Sequence, residues 1–189
     1  MKITQRILLV DNYDSFTYNL YHYLQKPNVS VEVIRTNQVD FSIVNDFDKI
    51  ILSPGPGVPL DSVNMMRIIG EYYKIKPMLG VCLGMQAIGQ FFNAELYNQN
   101  SVKHGVSMEI RIDEGGVLFE KLPNKFEVGL YHSWAIRAVK KPLRVTAVSK
   151  EGVVMAIEHE KLPIYGVQFH PESILTSNGK ELITNFVNI

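Results

Sequence analysis

The chain has 189 residues, of which 46% are hydrophobic and 20% charged, which predicts one globular domain over residues 1–189. Its 19 basic and 19 acidic residues balance, so charge predicts neither a nucleic acid nor an anionic membrane surface as a partner. The single cysteine excludes an internal disulfide, and the first residues lack the apolar core of a signal peptide. No apolar run approaches the roughly 20 residues that cross a bilayer. We therefore expect a soluble, cytoplasmic protein.

Strands and helices alternate in the first half of the chain. Residues 6–10, which are apolar from Ile7 onward, predict a buried strand. A polar turn follows, in which Asp14 or Ser15 is expected to cap the next helix. The further predicted elements are strands at residues 29–34 and 49–52, a rigid loop at 53–59, a helix at 63–73, and a short strand leading into a helix at 83–92. This alternation predicts an α/β fold with a doubly wound, mostly parallel sheet, whose sites lie at the carboxyl ends of the strands.

The second half of the chain is richer in strands. Strands are predicted at residues 108–112, 126–131, 144–148, 153–158 and 164–169, with turn signals such as Gly115 and Gly116 between them. We expect this half to add antiparallel strands to the main sheet and to form a small side sheet. A final helix is predicted at residues 179–187.

The only cysteine lies between an apolar strand and a helix. The order Gly80, Val81, Cys82, Leu83, Gly84 predicts a nucleophile elbow in which sulfur replaces the usual serine oxygen. Small residues on both sides let the strand and the helix approach closely, with the central residue in a strained conformation. A helix start beside the sulfur favours the reactive thiolate. The alternative is that Cys82 is a small buried core residue.

A second apolar strand ends in His170, followed by Pro171 and Glu172. Proline disfavours the helical region for the residue before it, so His170 is expected to be extended. In extended chain, residues i and i+2 project to the same side, so Glu172 can orient the imidazole. Together with Cys82, these residues predict a Cys–His–Glu triad. The alternative for His170 is a hydrogen-bonded histidine at a strand end.

Amide chemistry at a thiol also needs donors for the developing oxyanion. Leu83 offers a backbone N–H at the helix start, and Gly57 offers another in the loop after a neighbouring strand. Gln86 lies one helical turn after Cys82, where its amide could bind a polar substrate. The alternatives are a stiff turn for the loop and a solvated surface role for the glutamine.

These motifs resemble those of the class I (triad) glutamine amidotransferases. The resemblance rests on Gly80 to Gly84 with Gln86, on the loop at residues 53–59, and on residues 166–173. Residues 11–20, 104–105, 131–133 and 174–186 resemble, more narrowly, the small subunits of anthranilate synthase and aminodeoxychorismate synthase, so the likeness covers nearly the whole chain. It implies a flavodoxin-like domain that hydrolyses L-glutamine to glutamate and ammonia through a cysteinyl thioester.

The resemblance also implies residue roles. Cys82 would be the nucleophile, His170 the base and Glu172 its orienter, with Gly57 and Leu83 as oxyanion donors. The residues that would bind L-glutamine are Gly55, Pro56, Gly57, Gln86 and the backbone of Ser133 and Trp134. No metal or cofactor is expected in this chain. Mg²⁺ is expected only on the chorismate-binding large subunit that receives the ammonia.

The chain departs from the usual family residues at Met85, Val106, Leu130 and Trp134, none of which belongs to the triad. The preferred hypothesis is the small subunit of anthranilate synthase, in tryptophan biosynthesis. The alternatives within the family are the subunit of aminodeoxychorismate synthase, which serves 4-aminobenzoate synthesis, and one shared by both. Outside it stand a cysteine hydrolase or peptidase that acts alone and a silent regulatory subunit. Gln86 and the loop at 55–57 favour glutamine over peptide, and the intact triad argues against silence.

Overall fold

The computed structural model describes residues 4–113 and 116–189. The strands are β1 (Gln5–Asp11), β2 (Val29–Arg35), β3 (Lys49–Leu52), β4 (Met78–Val81), β5 (Glu95–Ile112), β6 (Lys125–Arg137), β7 (Leu143–Ser149), β8 (Val154–His159) and β9 (Ile164–Val167). The α-helices are α1 (Thr17–Leu24), α2 (Val63–Tyr72), α3 (Leu83–Phe91) and α4 (Gly179–Asn188). Within these two described ranges, no helix is long and apolar enough to span a membrane.

All of these strands join one nine-stranded sheet with the order β2-β1-β3-β4-β9-β8-β7-β5-β6. The strands from β2 to β9 in that order pair in parallel. The strands from β9 to β6 pair antiparallel. The predicted α/β sheet with added antiparallel strands is therefore confirmed.

The parallel half of the sheet is buried on both faces because alternate residues of each strand point to opposite sides. In β1, Ile7 and Leu9 belong to the apolar cluster that also contains residues of α1 and α4. Leu8 and Val10 belong to the second cluster, with residues of α2 and α3. This explains why residues 7–10 of β1 are a continuous apolar run, and it confirms the doubly wound arrangement.

The predicted small side sheet is wrong. Instead, β5 runs for 18 residues and pairs with β6 along its length, with register shifts between Asn98 and Lys103 and between His104 and Val106. Its last residues, from Ile110 to Ile112, pair with β7 and join this long hairpin to the main sheet. Of the predicted turn at Gly115 and Gly116, Gly115 lies outside the described residues.

The predicted cap of α1 is also wrong. The residue before the helix is Phe16, and no side chain caps the first turn. Asp14 Oδ1 instead accepts from the Phe16 N–H at 2.8 Å. The turn is held by Asp11, whose Oδ1 accepts from the Tyr13 N–H and the Thr17 hydroxyl, both at 2.9 Å. The Asp14 carboxylate can form either a local Asx turn or a helix cap, and here it forms the turn.

The elbow prediction is confirmed, because β4 leads through Cys82 directly into α3. A Cβ atom on Gly80 would lie 2.4 Å from the backbone of Gly84, and a Cβ atom on Gly84 would lie 2.4 Å from the Leu52 carbonyl oxygen. Both distances are far below van der Waals contact. Only glycine therefore lets α3 pass this close to β3 and β4.

Replacing Gly84 with alanine is expected to destabilise the protein by about 2 kcal/mol or more, because the added methyl group overpacks a site walled by backbone. Gly70→Ala is a matched control in α2, where the new Cβ would meet only Phe91 at 3.6 Å. That control should leave stability unchanged or raise it by up to about 1 kcal/mol. Urea unfolding of both variants measures the difference. Equal stability of the two variants would contradict the close-approach argument.

Candidate active site

Two neighbouring strands deliver the predicted triad to one edge of the sheet. β4 pairs in parallel with β9, with Gly80 opposite Gly166 and Val81 opposite Val167. The Cys82 N–H continues this pairing by donating to the Val167 carbonyl at 2.8 Å. The residues after Val167 therefore pass beside Cys82, which brings His170 and Glu172 to the predicted nucleophile.

Cys82 has a strained backbone, with φ 50° and ψ −102°, a region that residues with a side chain rarely occupy. Its side chain is 6% exposed. The strain is maintained by β4 on one side and by α3 on the other. This backbone places Cys82 at the start of a helix whose first N–H groups lack helical partners.

His170 and Glu172 form a buried pair, with Nδ1 of the imidazole 2.7 Å from Oε1 of the carboxylate. Because Glu172 occupies Nδ1, the nitrogen left for Cys82 and a substrate is Nε2, which is buried and has no hydrogen-bond partner within the described residues. Burial by itself lowers the pKa of His170, but hydrogen bonding and charge interaction with Cys82 and Glu172 outweigh burial and raise the pKa well above 6.5. The geometry therefore favours a protonated imidazole between sulfur and carboxylate.

Aromatic side chains enclose His170. The ring of Tyr131 lies 4.9 Å from the imidazole and that of Phe16 lies 5.5 Å from it, both edge-on. The Tyr131 hydroxyl lies 3.0 Å from Ser173 Oγ. The Thr176 hydroxyl donates to the His170 carbonyl at 2.6 Å. These contacts hold the imidazole in place, and sequence reasoning missed them because they join separate segments.

The predicted oxyanion loop lies beside the start of α3. A Cβ atom on Gly55 would be 2.5 Å from the Asn12 carbonyl oxygen and 2.9 Å from the Leu83 side chain, so the loop is packed against Leu83. Gly57 has φ +77°, and the next N–H, that of Val58, donates to Asp61 at 3.0 Å. The loop therefore lies beside Leu83, and the shared oxyanion role of Gly57 and Leu83 stays a prediction.

A cavity of about 440 Å³ lies at the carboxyl ends of the first strands, and Pro56 and Leu83 line it. Its other lining residues include Asn12, Tyr13, Thr36 and Val58. Cys82 does not line it. This cavity therefore borders the loop after β3 and Leu83 without being lined by Cys82.

The side-chain NH₂ group of Gln86 is not free to bind a substrate. It is 3% exposed, and its Nε2 donates to the Trp134 carbonyl at 2.8 Å and to Gln168 Oε1 at 3.1 Å. Both amide protons are therefore used within the protein. Only the Gln86 carbonyl oxygen is left to accept from a substrate, and a solvated surface role is excluded.

Ser133 and Trp134, whose backbone is predicted to bind glutamine, differ in their hydrogen-bonding surroundings. Trp134 offers no free carbonyl, since it also accepts from His132 Nδ1 at 2.9 Å. Ser133 lies opposite the register shift of β5, where Asn98 pairs with Trp134 and Lys103 pairs with His132. Ser133 therefore has no register partner on β5, as is typical of strand irregularities beside active sites.

Two buried polar residues near the triad were not predicted. Gln168 is fully buried and its Nε2 lies 3.5 Å from Cys82 Sγ. His132 has its pKa lowered to about 4, chiefly by burial, so it is neutral at physiological pH. The i, i+2 rule that joined His170 to Glu172 also places Gln168 on the side of His170, which was the signal available in the sequence.

The residues that depart from the family pattern include two in the apolar core and one on an exposed strand. Met85 and Leu130 are 0% and 1% exposed and belong to the apolar clusters. Val106 is 38% exposed on β5.

For residues 4–113 and 116–189, no group of three or more His, Cys, Asp or Glu side chains could hold a metal ion.

Comparison with known proteins adds to this geometry. Residues 8–189 match the profile of the family "Glutamine amidotransferase class-I". The chain is 45% identical to anthranilate synthase component 2 of Lactococcus lactis, over 96% of this chain and 93% of that protein. It is 40% identical to the aminodeoxychorismate/anthranilate synthase component 2 of Bacillus subtilis, over 96% and 95% of the two chains.

Two further similarities are more limited, one because it covers part of a longer protein and the other because the identity is low. An aminodeoxychorismate synthase of Streptomyces griseus is 45% identical over 96% of this chain, which matches only 25% of that longer protein. A solved structure from Thermoplasma acidophilum, described as a candidate GMP synthase component, superposes with a TM-score of 0.88 at 24% identity, over 97% of this chain and 92% of that one. At that identity, the likeness concerns the fold alone.

Removal of the Glu172 charge is expected to lower the pKa of His170, because burial then acts with less opposition. We expect NMR titration of the wild-type imidazole to give a midpoint above 6.5 and Glu172→Gln to give a lower one. Glu181→Gln, on the exposed first turn of α4, is the control. An unchanged midpoint in Glu172→Gln would contradict the assignment.

The same shift sets a pH dependence of stability. The folded pKa of His170 is raised, so the stabilisation is fully present below the unfolded value of 6.5 and is lost as pH rises through the folded pKa. The difference in unfolding free energy between wild type and Glu172→Gln should therefore be larger at about pH 6 than above the folded pKa.

Proposed function

This chain belongs to the class-I glutamine amidotransferases, and we propose that it supplies ammonia from L-glutamine to a chorismate-binding large subunit that forms anthranilate. The observation that carries the chemistry is the buried arrangement of Cys82, His170 and Glu172 at the carboxyl ends of β4 and β9. A pairing of sulfur, imidazole and carboxylate in this order is the arrangement of a thiol nucleophile, its base and the base's orienter.

In the first half of the reaction, the Cys82 thiolate attacks the side-chain carboxamide carbon of glutamine and forms a C–S bond. The carbonyl oxygen takes the negative charge and is stabilised by the N–H groups of Leu83 and Gly57. The C–N bond then breaks, and the imidazolium of His170 gives its proton to the leaving nitrogen. The products of this half are ammonia and the glutamyl thioester.

In the second half, neutral His170 takes a proton from water, and the resulting hydroxide attacks the thioester carbon. The C–S bond breaks, sulfur leaves as thiolate, and glutamate is released. His170 is again protonated beside the thiolate. Glu172 holds the ring orientation in both halves, since it accepts from Nδ1 at 2.7 Å.

Two comparisons support anthranilate as the product, since the Lactococcus and Bacillus relatives both carry that activity in their names. The second candidate is aminodeoxychorismate synthesis, alone or as a shared function. The Bacillus relative is named for both reactions, and the Streptomyces enzyme is as similar to this chain as the Lactococcus protein. In either case the proposal places the complex in the cytoplasm, with Mg²⁺ on the large subunit.

The synthase is proposed to dock on the carboxyl-end face, which carries unusually exposed apolar side chains. Tyr13 follows β1, and Leu60 and Val63 lie beyond the oxyanion loop, at 52%, 66% and 74% exposure. Ile174 is 96% exposed two residues after Glu172. Exposed apolar residues gathered around a site are typical of a protein interface, and these flank both sides of the triad.

The proposal is tested by mixing this chain with each large subunit from the same cell, with chorismate, Mg²⁺ and glutamine present. We expect the anthranilate-type subunit to yield anthranilate and to speed glutamine turnover in its complex. Activation by the aminodeoxychorismate partner alone would overturn the pathway assignment, and activation by both would identify a shared subunit. In Cys82→Ala, glutamine-dependent synthesis should disappear while ammonia-dependent synthesis persists.

The docking face is tested by charge insertion. Ile174→Asp should weaken binding to the synthase about tenfold or more, because it buries a charge where an apolar anchor is expected. Ile75→Asp is the matched control, since Ile75 is 65% exposed but precedes the amino end of β4. Calorimetric titration measures both affinities. Equal losses for the two variants would count against this face as the interface.

A further inference from the structure

Gln168 is the buried residue that lies beside the nucleophile without an assigned role. It follows β9 as Cys82 follows β4, and its Nε2 is 3.5 Å from Cys82 Sγ. Its backbone N–H is already bonded to the Met155 carbonyl at 2.9 Å. The side chain is fully buried, so no water competes for its amide.

The direction of this contact follows from a chain of hydrogen bonds that begins at a backbone carbonyl. The Trp134 oxygen can only accept, so the Gln86 atom 2.8 Å from it is the amide nitrogen. The same nitrogen donates to Gln168 at 3.1 Å, so the Gln168 atom facing it is the oxygen. The other end of the Gln168 amide, which faces the sulfur, is therefore the NH₂ group.

We propose that Gln168 is a catalytic residue that donates an N–H to the Cys82 sulfur and stabilises its thiolate, and that Gln86 is the positioning residue that keeps the Gln168 amide in this orientation. An amide donor strengthens its bond as the sulfur gains negative charge. His170 interacts by charge with the same cysteine, so an imidazolium and an amide N–H both act on the thiolate.

This contact acts when the thiolate exists. In the resting enzyme the amide donates to the thiolate. The contact is weakened when the C–S bond forms, because the sulfur of the thioester carries no charge. It forms again as the C–S bond breaks and the electron pair returns to sulfur. Gln168 therefore supports both the nucleophile and the leaving group, while the proton transfers remain with His170.

The test compares Gln168→Met, which keeps the side-chain length without the N–H, with Gln168→Glu, which keeps the shape but places an acceptor beside the sulfur. Gln90→Met is the matched control on α3: Gln90 too has a buried side-chain oxygen, but within the described residues that oxygen has no hydrogen-bond partner to lose. The rate of iodoacetamide alkylation of Cys82 against pH is measured on the isolated full chain. The kcat for glutamine and the ammonia-dependent rate are measured on its complex with the synthase.

We expect both Gln168 variants to move the alkylation profile to higher pH and to lower kcat for glutamine about tenfold or more, as for a lost bond to a charged group. The ammonia-dependent rate should not change, and Gln90→Met should resemble wild type. An unchanged alkylation profile in a folded Gln168 variant would overturn the proposal. The inference rests on glutamine hydrolysis at Cys82 and not on the identity of the synthase, so the alkylation result is independent of the pathway.

A measurement on the wild-type chain covers the case in which neither variant folds. Alkylation of Cys82 removes the charge that the Gln168 amide faces. The ¹⁵N and ¹H resonances of that side-chain amide should therefore shift on alkylation, more than those of Gln90. Resonances of Gln168 that stay unmoved would overturn the proposal.

Discussion

In the parallel pairing of β4 with β9, the Cys82 N–H donates to the Val167 carbonyl at 2.8 Å and so aligns the ends of two strands that are far apart in the sequence. β4 belongs to the parallel half of the sheet, whereas β9 joins that half to the antiparallel one. The proposed nucleophile and base therefore come from the two strands of a single pair. The loop after β3 packs against Leu83 and β6 bonds to Gln86, so both lie against the helix that begins after Cys82.

The parts of the site that lie within short stretches could be predicted from the sequence. The elbow depends on Gly80, Cys82 and Gly84, whose spacing is visible and whose close contacts the structure confirms. The side-by-side placement of His170 and Glu172 follows from extended chain after a buried strand, and the 2.7 Å contact confirms it. The parallel strands were found because burial on both faces leaves continuous apolar runs.

The remaining features depend on contacts between distant segments. Residues 95–107 were not predicted as strand because β5 is largely exposed there and lacks regular alternation. The partners of Gln86 could not be predicted either, since one of them is the backbone carbonyl of Trp134, whose position follows from the register of β6 against β5. For Asp14, the sequence allowed two local hydrogen bonds, and the Asx turn formed in place of the helix cap.

The proposed docking face and the catalytic residues are neighbours along the chain as well as in space. Ile174 is bonded to Ser173, which contacts the hydroxyl of Tyr131 at 3.0 Å, and the Tyr131 ring lies 4.9 Å from the imidazole of His170. The Trp134 carbonyl, in turn, accepts a hydrogen bond from the Gln86 amide. A ligand shifts an equilibrium only by its difference in affinity for two arrangements. A partner that contacts Ile174 or the segment at Trp134 would therefore touch residues next to those that hold His170 and Gln86. Its binding energy can change the positions of these two side chains directly, and with them the rate of glutamine hydrolysis.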